Sequence, residues 1–292
     1  KNSFFWYKFR IGLTDGNWFG MWENISECGY GDYNDRYFYT SSEPNQVIGP
    51  YCFNSCEDCE IPNKSLSFNG NDNYVDTGIP YTSLSGATAL EFEFQFKRRS
   101  GNNDGQYQGI ISSLTSGNSQ IFIRISDQNY LELGFKNDNS NFSTEFYDSE
   151  LILFDKWYNF KIVLQNDQVL WYSNEVLIEV DDVNFQSLGQ ESNNVPTLSF
   201  GRGNTVYGEY FDGFLDDVKI SINNDDNYFA YYDFNDGEGQ ILSDITGNND
   251  AIIYGATWSD DVPQPLHLGP NWFVSIGEGS DENNGSEDYP FS

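Results

Sequence analysis

The residue types that usually carry enzyme chemistry are scarce in this sequence. His267 is the single histidine, and it lies between Pro265 and Pro270. A serine or cysteine nucleophile needs a base held beside it, so we expect no nucleophilic triad. Glu91 and Glu93 are spaced to place two carboxylates on one face of a strand, as an acid pair for glycoside hydrolysis would require. That face is the polar side of an amphipathic strand, and we interpret the two residues as solvated charges.

Phosphate and nucleic-acid chemistry are also disfavoured. Gly201-x-Gly203 lacks the third glycine and the helix of a dinucleotide-binding loop, so we interpret it as an ordinary turn. The 14 Lys and Arg against 45 Asp and Glu give a formal charge of -31, which would repel nucleic acid and anionic lipid surfaces. This acidity suits either solubility in a salty exterior or a set of Ca²⁺ sites, since hard cations prefer carboxylate and carbonyl oxygens.

All four cysteines lie near the start of the chain, at Cys28, Cys52, Cys56 and Cys59. Two disulfides in a secreted protein are the favoured interpretation. Cys56-x-x-Cys59 would also suit a zinc ligand pair or a redox motif, although the other two cysteines do not repeat that spacing. We expect Cys28–Cys52 and Cys56–Cys59 bonds, while the sequence leaves three connectivities open.

The elements that would position a site are strands. Aromatic residues make up 17% of the chain, which favours strands over helices. The clearest segment runs from Lys156 to Val180. Trp157–Leu164 alternates apolar and polar residues, Asn166-Asp167 supplies a turn, and Val169–Tyr172 leads the chain back, as in a hairpin. A further turn leads into a third strand at Val176–Ile178.

Other strands follow the same logic. Thr88–Arg98 alternates strictly, so that four apolar side chains share one face and Glu91, Glu93 and Gln95 share the other. Further strands are predicted at 109–114, 120–125 and 130–135, with the spacing of a jelly roll. No apolar run approaches the roughly 18 residues of a membrane-spanning helix, so we expect no membrane insertion.

Four segments resemble laminin G-like and pentraxin-like domains, which are concanavalin A-like sandwiches. They are the L-x-F-N-G opening at Ser65–Val75, the central hairpin, Thr197–Arg202, and the F-x-G-x-x-D-D-V-x-I stretch in Tyr210–Ile220. Tyr228–Trp258 is similar to an element that accompanies such domains. The resemblance implies an all-β fold, a concanavalin A-like jelly-roll sandwich, over residues 61–262.

The flanking segments resemble parts of other modules. Residues 18–59 are similar to the closing half of starch-binding-like, immunoglobulin-type sandwiches, which implies a partial β module with two disulfides over residues 1–60. Residues 263–292 begin with a proline-rich linker, and their remainder resembles the first turn of pectate-lyase-like right-handed β-helices. The chain is therefore expected to be part of a longer multidomain protein.

The laminin G-like resemblance also points to a structural Ca²⁺. Its expected ligands are the turn residues Asn71 and Asp72 and the strand residues Asp216 and Asp217, where carboxylate and backbone oxygens could converge. The spacing of an EF-hand does not occur. A second oxygen-rich turn contains Asp244, Asn248, Asn249 and Asp250, and we interpret it as ordinary turn chemistry.

A sugar would be bound by aromatic faces together with amide and carboxylate side chains. The candidate residues are Trp171, Tyr172, Tyr207 and Tyr210. We therefore predict a non-catalytic carbohydrate-binding or adhesion module of a secreted or cell-surface protein, with a glycan or cell-surface polysaccharide as partner. The alternatives are a targeting module for a polysaccharide lyase or hydrolase, and a structural spacer or filament subunit that contacts other modules or copies of itself.

Overall fold

The computed structural model describes residues 63–100, 105–113, 120–138, 141–189 and 197–264, and the backbone of two short strands before them. The chain divides into two compact units, Lys1–Pro62 and Asn63–Ser292. In the first unit, β1 (Phe4–Tyr7) pairs antiparallel with β2 (Arg36–Tyr39). Among the described residues, no helix is long and apolar enough to cross a membrane.

Several predictions concern other parts of the chain. Cys28, Cys52, Cys56 and Cys59 lie outside the described residues, and so does the segment that resembles a β-helix. Of the immunoglobulin-like segment, the structure describes Arg36–Tyr39. The disulfides, both flanking modules and the domain boundaries stay predictions.

The second unit is built from short and medium-length strands. In chain order these are β3 (Ser65–Asn69), β4 (Tyr74–Pro80), β5 (Ala89–Arg98), β6 (Gln108–Ser112), β7 (Ile121–Ile125), β8 (Leu131–Lys136), β9 (Phe142–Tyr147), β10 (Trp157–Gln165), β11 (Gln168–Ser173), β12 (Val176–Asp182), β13 (Thr197–Phe200), β14 (Asp212–Ile222), β15 (Ala230–Tyr232), β16 (Ile241–Leu242), β17 (Ala251–Tyr254) and β18 (Thr257–Ser259). A single 3-10 turn, Tyr81–Ser83, follows β4 in the part that the structure describes.

These strands form two antiparallel sheets that share one core. Sheet A has the order β12-β11-β10-β5-β14-β3-β18, with β15 also paired to β14, and sheet B has the order β16-β17-β4-β13-β6-β7-β8-β9. Buried side chains of both sheets belong to the same hydrophobic cluster. The predicted all-β sandwich is confirmed, and its form is that of a concanavalin A-like jelly roll.

The patterns that predicted the central strands are also confirmed. β5 buries the apolar residues of its alternation, including Phe92, Phe94 and Phe96, while the polar residues between them are partly exposed. The β10–β11 turn places Asn166 and Asp167 at φ values of 51° and 59°. Asparagine and aspartate tolerate this left-handed region better than most residues, which explains the tight turn.

The structure adds strands that the sequence did not reveal. β9 forms the edge of sheet B, where Phe142 and Phe146 face solvent, so its pattern lacks the buried face that marks a strand. The segment that resembles an accompanying element supplies four short strands, of which β15 and β18 join sheet A and β16 and β17 join sheet B. With lengths of two to four residues, these strands are too short for periodicity to define.

Close packing explains why β14 has a glycine at position 213. A Cβ atom added there would lie 2.2 Å from the backbone oxygen of Lys97 and 2.6 Å from the Phe211 ring. We expect Gly213→Ala to lower the free energy of unfolding by about 1–3 kcal/mol, the usual effect of overpacking. Urea unfolding monitored by circular dichroism measures this change. Ser221→Ala, at a half-buried position of the same strand, is the control, and equal effects of the two changes would contradict the steric explanation.

Candidate functional site

One end of the sandwich gathers three segments that are distant in sequence. The β3–β4 turn contacts the segment before β14, because Gly70 N donates to Phe211 O at 2.9 Å. The β17–β18 turn approaches it as well, since a Cβ at Gly255 would lie 2.4 Å from Asn73 Nδ2. We call this region the rim site and define it by the side chains that it presents: Asp72, Asn73, Tyr74, Arg202, Gln240 and Tyr254.

Asn69 organises the β3–β4 turn. Its Oδ1 accepts the backbone N–H groups of Asn71, Asp72 and Asn73 at 3.0, 3.2 and 3.3 Å. Its Nδ2 donates to Asp72 Oδ1 at 2.9 Å. A side chain that accepts several backbone N–H groups fixes a turn in which those groups have no partner in a helix or sheet. Asp72 and Asn73 are therefore presented by a defined loop.

A stack of three side chains forms the centre of the rim site. β17 pairs with β4 so that Tyr254 lies opposite Tyr74, and their rings stack with centroids 4.6 Å apart and planes 13° apart. The Arg202 guanidinium carbon lies 3.7 Å from the Tyr74 ring centroid. At these distances the two neighbours must occupy opposite faces of Tyr74. The order is Arg202, Tyr74, Tyr254, and Tyr254 remains 43% exposed.

A shallow pocket lies beside the outer end of this stack. Its volume is about 340 Å³, and it is lined by Asp72, Asn73, Gln240, Ile252, Ile253, Tyr254 and Gly255. The carboxylate and the two amides can donate to or accept from hydroxyl groups, while Tyr254 offers an apolar ring. A flat ligand with polar edges would match both features.

Arg202 is held in place by sheet B. Its Nε donates to Ser199 Oγ at 3.1 Å, and its backbone oxygen accepts from Ser112 Oγ at 2.7 Å. The next residue, Gly203, passes so close to β6 that a Cβ at Gly109 would lie 2.1 Å from Gly203 N. This close approach holds the backbone at Arg202 against the sheet.

Glu209 fixes the far end of the same loop. Its Oε1 lies 3.0 Å from Arg124 Nη1, and its Oε2 accepts the backbone N–H of Asn204 at 3.0 Å. Glu209 is buried, so this ion pair is less screened by solvent than a surface pair would be. The loop therefore has two anchors, one at each end.

The predicted sugar-binding residues fall into two groups. Tyr207 is 78% exposed and Tyr210 is half-buried, and both belong to the loop that begins at Arg202. Tyr172 lies on sheet A, with Lys161 Nζ 5.7 Å from its ring centroid. Trp171 is fully buried, and its Nε1 donates to Asp181 Oδ2 at 2.7 Å. The structure corrects the expectation for Trp171, because a buried indole has no ring face that a sugar can reach.

The four predicted Ca²⁺ ligands do not converge on one ion. Asn69, just before Asn71 and Asp72, pairs with Asp212 of β14, and Asp216 lies four residues further along that strand, a distance of about 13 Å. Asp217 Oδ2 already accepts from Gln95 and Lys219 at 3.1 and 3.0 Å. Among the residues that the structure describes, no group of three or more His, Cys, Asp or Glu side chains is arranged to hold a metal ion.

Sequence reasoning missed Tyr74, Arg202, Gln240 and Tyr254. Tyr74 entered the sequence analysis only as part of the L-x-F-N-G opening at Ser65–Val75. The alternation in Ile252-Ile253-Tyr254 was a usable signal, because Ile253 is buried and its neighbours are exposed. The register that places Tyr254 on Tyr74 is a long-range property, and no local pattern contains it.

Asp216 gives the fold a pH-dependent stability. Burial, and then the nearby charge of Asp217, raise the pKa of the Asp216 carboxyl from 3.8 to about 8. The unfolded chain loses this proton near pH 4 while the folded protein keeps it, so the folded state binds more protons in between. The stabilisation is therefore complete below about pH 4 and is lost as the pH rises through about 8.

We expect Asp216→Asn to flatten this dependence, since an amide stays neutral throughout. Urea unfolding of both proteins, in EDTA at about pH 5 and about pH 8, gives the loss of unfolding free energy between the two pH values. This loss should be larger for the wild type than for Asp216→Asn, by an amount on the order of a few kcal/mol. Asp148→Asn removes an exposed carboxylate and is the control. A wild-type stability that does not fall relative to Asp216→Asn would show that Asp216 is ionised when folded.

Several solved structures have a similar fold. No curated protein matches the sequence. Among solved structures, a candidate carbohydrate-binding protein from Bacteroides ovatus is 16% identical, with a TM-score of 0.54, covering 82% of this chain and 67% of that one. A heptameric SAP-like pentraxin from Limulus polyphemus is 17% identical, with a TM-score of 0.41, covering 56% and 77%. Domains LG4-5 of the mouse laminin alpha1 chain are 10% identical, with a TM-score of 0.42, covering 82% and 58%.

A family model gives the assignment directly. The model described as the concanavalin A-like lectin/glucanases superfamily matches residues 69–223, which is more than half of the 292 residues. The matched segment begins at Asn69 and runs through β14, so it contains most of both sheets. The chain belongs to the concanavalin A-like lectin/glucanases superfamily.

Proposed function

We propose that the second unit is a non-catalytic carbohydrate-binding module and that the rim site binds the glycan. The observation that carries this proposal is the open ring face of Tyr254 beside a pocket lined by Asp72, Asn73 and Gln240. A sugar has an apolar face of C–H groups and a rim of hydroxyls, so it needs an aromatic platform and polar side chains together. The fold likeness to a candidate carbohydrate-binding protein is compatible with this role.

The rim site is suited to weakly bound polar ligands because its side chains are held in place before a ligand binds. Tyr254 is stacked on Tyr74, which is in turn covered by Arg202. Asp72 and Asn73 are held by the hydrogen bonds of Asn69. Side chains that are already immobilised lose little conformational entropy on binding. A modest contact area can then give measurable affinity.

The outward carboxylates of β5 support binding rather than hydrolysis. Glu91 Oε1 lies 2.9 Å from Lys161 Nζ, and Glu93 Oε1 lies 2.8 Å from Lys219 Nζ. Each carboxylate is thus engaged by a lysine of a neighbouring strand, β10 or β14. These two residues are therefore poorly placed to act as an acid pair.

The wider context is part of the proposal. We place the module in a secreted or cell-surface protein, where it acts in adhesion or directs a neighbouring domain to a polysaccharide. Calcium stays an expectation for each predicted pair taken separately, Asn71 with Asp72 or Asp216 with Asp217. Melting curves in Ca²⁺ and in EDTA check that expectation, since an ion that binds only the folded protein must raise the melting temperature.

Tyr254→Ala tests the proposed site. A glycan array should first identify ligands of the wild-type protein, and titration calorimetry should then give their affinities. Loss of the ring should lower affinity at least about tenfold, which corresponds to roughly 1.4 kcal/mol. Tyr228→Ala is the matched control, because Tyr228 has the same 43% exposure but lies in the loop between β14 and β15. Unchanged binding in Tyr254→Ala would place the glycan elsewhere.

A further inference from the structure

Most Lys and Arg side chains in the described part of the chain are neutralised by a nearby carboxylate. Within the described part of the chain, ion pairs join Lys64 to Asp260, Lys97 to Asp261, Arg99 to Asp212, Arg124 to Glu132 and Glu209, Lys156 to Glu150, Lys161 to Glu91, and Lys219 to Glu93 and Asp217. Arg202 differs. Its side chain donates one hydrogen bond, from Nε to Ser199 Oγ. Neither of its Nη atoms has a protein acceptor among the described residues.

Two acidic side chains on the neighbouring strand and turn are engaged by other donors. Asp76 lies opposite Ser199 in the β4–β13 ladder, but its Oδ1 accepts from Thr197 Oγ1 at 2.7 Å and from Gly78 N at 3.0 Å. Asp72 Oδ1 accepts from Asn69 Nδ2 at 2.9 Å. Arg202 therefore keeps its Nη donors unpaired although carboxylates lie on the neighbouring strand and turn.

The guanidinium is also held from two sides. Its carbon atom lies 3.7 Å from the Tyr74 ring centroid, and the Ser199 bond restricts rotation about the side chain. An arginine that packs on a ring and is bonded at Nε leaves its two Nη groups available as a fork, which matches the two oxygens of a carboxylate or sulfate. Lysine cannot reproduce this geometry, because its ammonium is a point charge.

We propose that the rim site recognises an anionic glycan, and that Arg202 pairs with its carboxylate or sulfate group. The inference rests on the proposed function, because it assigns the ligand class of the same site. Arg202 and Tyr254 lie on the two faces of one ring, so one sugar unit stacks on Tyr254 while a nearby unit presents its anion to Arg202. The Nη groups of Arg202 supply positive charge at a site whose other charged side chain, Asp72, is negative.

The test uses pairs of probes that differ only in charge. Oligogalacturonides and their methyl esters form the carboxylate pair, and sulfated and unsulfated galactan oligosaccharides form the sulfate pair. We expect the wild-type protein to bind the anionic member of one pair at least about tenfold more tightly, a difference of roughly 1.4 kcal/mol. The pair that shows this preference identifies the anion. Equal binding of charged and neutral members would overturn the inference, and this comparison needs no variant.

Variants of Arg202 then assign the preference to this side chain. Arg202→Gln should abolish the ratio of anionic to neutral affinity, and Arg202→Lys should retain only part of it. The ratio is taken within each protein, so a change in the platform that affects both probes equally cancels. Lys156→Gln makes the same charge change at an exposed ion pair and should have no effect. A preference that survives in Arg202→Gln, with an unchanged melting temperature, would overturn the assignment.

The two proposals fail in different ways. If Tyr254→Ala loses binding and the wild-type protein shows no charge preference, the carbohydrate-binding function stands and the anionic ligand class is wrong. If the preference exists but survives in Arg202→Gln, the assignment to Arg202 is wrong. If the wild-type protein binds no glycan on the array, the proposed function is wrong and the anionic ligand class is wrong with it.

Discussion

The alternation of aromatic and polar residues along β5 is the constraint on which the rest of the structure depends. β5 lies between β10 and β14 in the middle of sheet A. Phe96 packs against Tyr158, Phe160 and Phe211, with ring centroids 5.6 to 6.3 Å apart. Aromatic pairs at such separations add to the stabilisation from burial alone. Because a strand has a period of two, a shift of one residue would expose this entire face.

The opposite face of sheet A shows how so acidic a chain tolerates its charge. Lys219 Nζ lies between Glu93 and Asp217, at 2.8 and 3.0 Å, so one cation offsets two carboxylates. Lys161 pairs with Glu91 on the neighbouring strand in the same way. Such partly exposed pairs contribute little individually, but they prevent like charges from facing each other across the ladder. Burial and the neighbouring Asp217 raise the pKa of Asp216 to about 8, so below that pH Asp216 adds little negative charge to this face.

The sequence was sufficient for the parts of the fold that local pattern determines. Alternation located β5 and the β10–β11 hairpin, and the Asn166-Asp167 turn defined their connection. The sequence was insufficient to predict β9, whose phenylalanines face solvent at the sheet edge, and the short strands from Ala230 onward. A local pattern cannot report a strand that is paired through its backbone while its side chains remain exposed.

The candidate site was predicted less completely, for a related reason. Tyr207 and Tyr210 were predicted as sugar-binding residues, and the structure places both on the loop that begins at Arg202. Trp171 was chosen by residue type, yet its hydrogen bond to Asp181 and its complete burial make it a core residue. Residue type indicates what a side chain can do, whereas exposure depends on which strand covers it. That information lies in the pairing of distant segments.

The rim site therefore depends on sheet register more than on any motif. Tyr74 and Tyr254 are far apart in sequence, and they stack because β17 pairs antiparallel with β4 in one register. A slip of one residue would bury Tyr254 and expose Ile253 in its place. The buried Ile253 and Ala251 oppose that slip, because exposing them would forfeit their hydrophobic burial. The core of sheet B thus positions the surface stack, and the site is only as well defined as the packing beneath it.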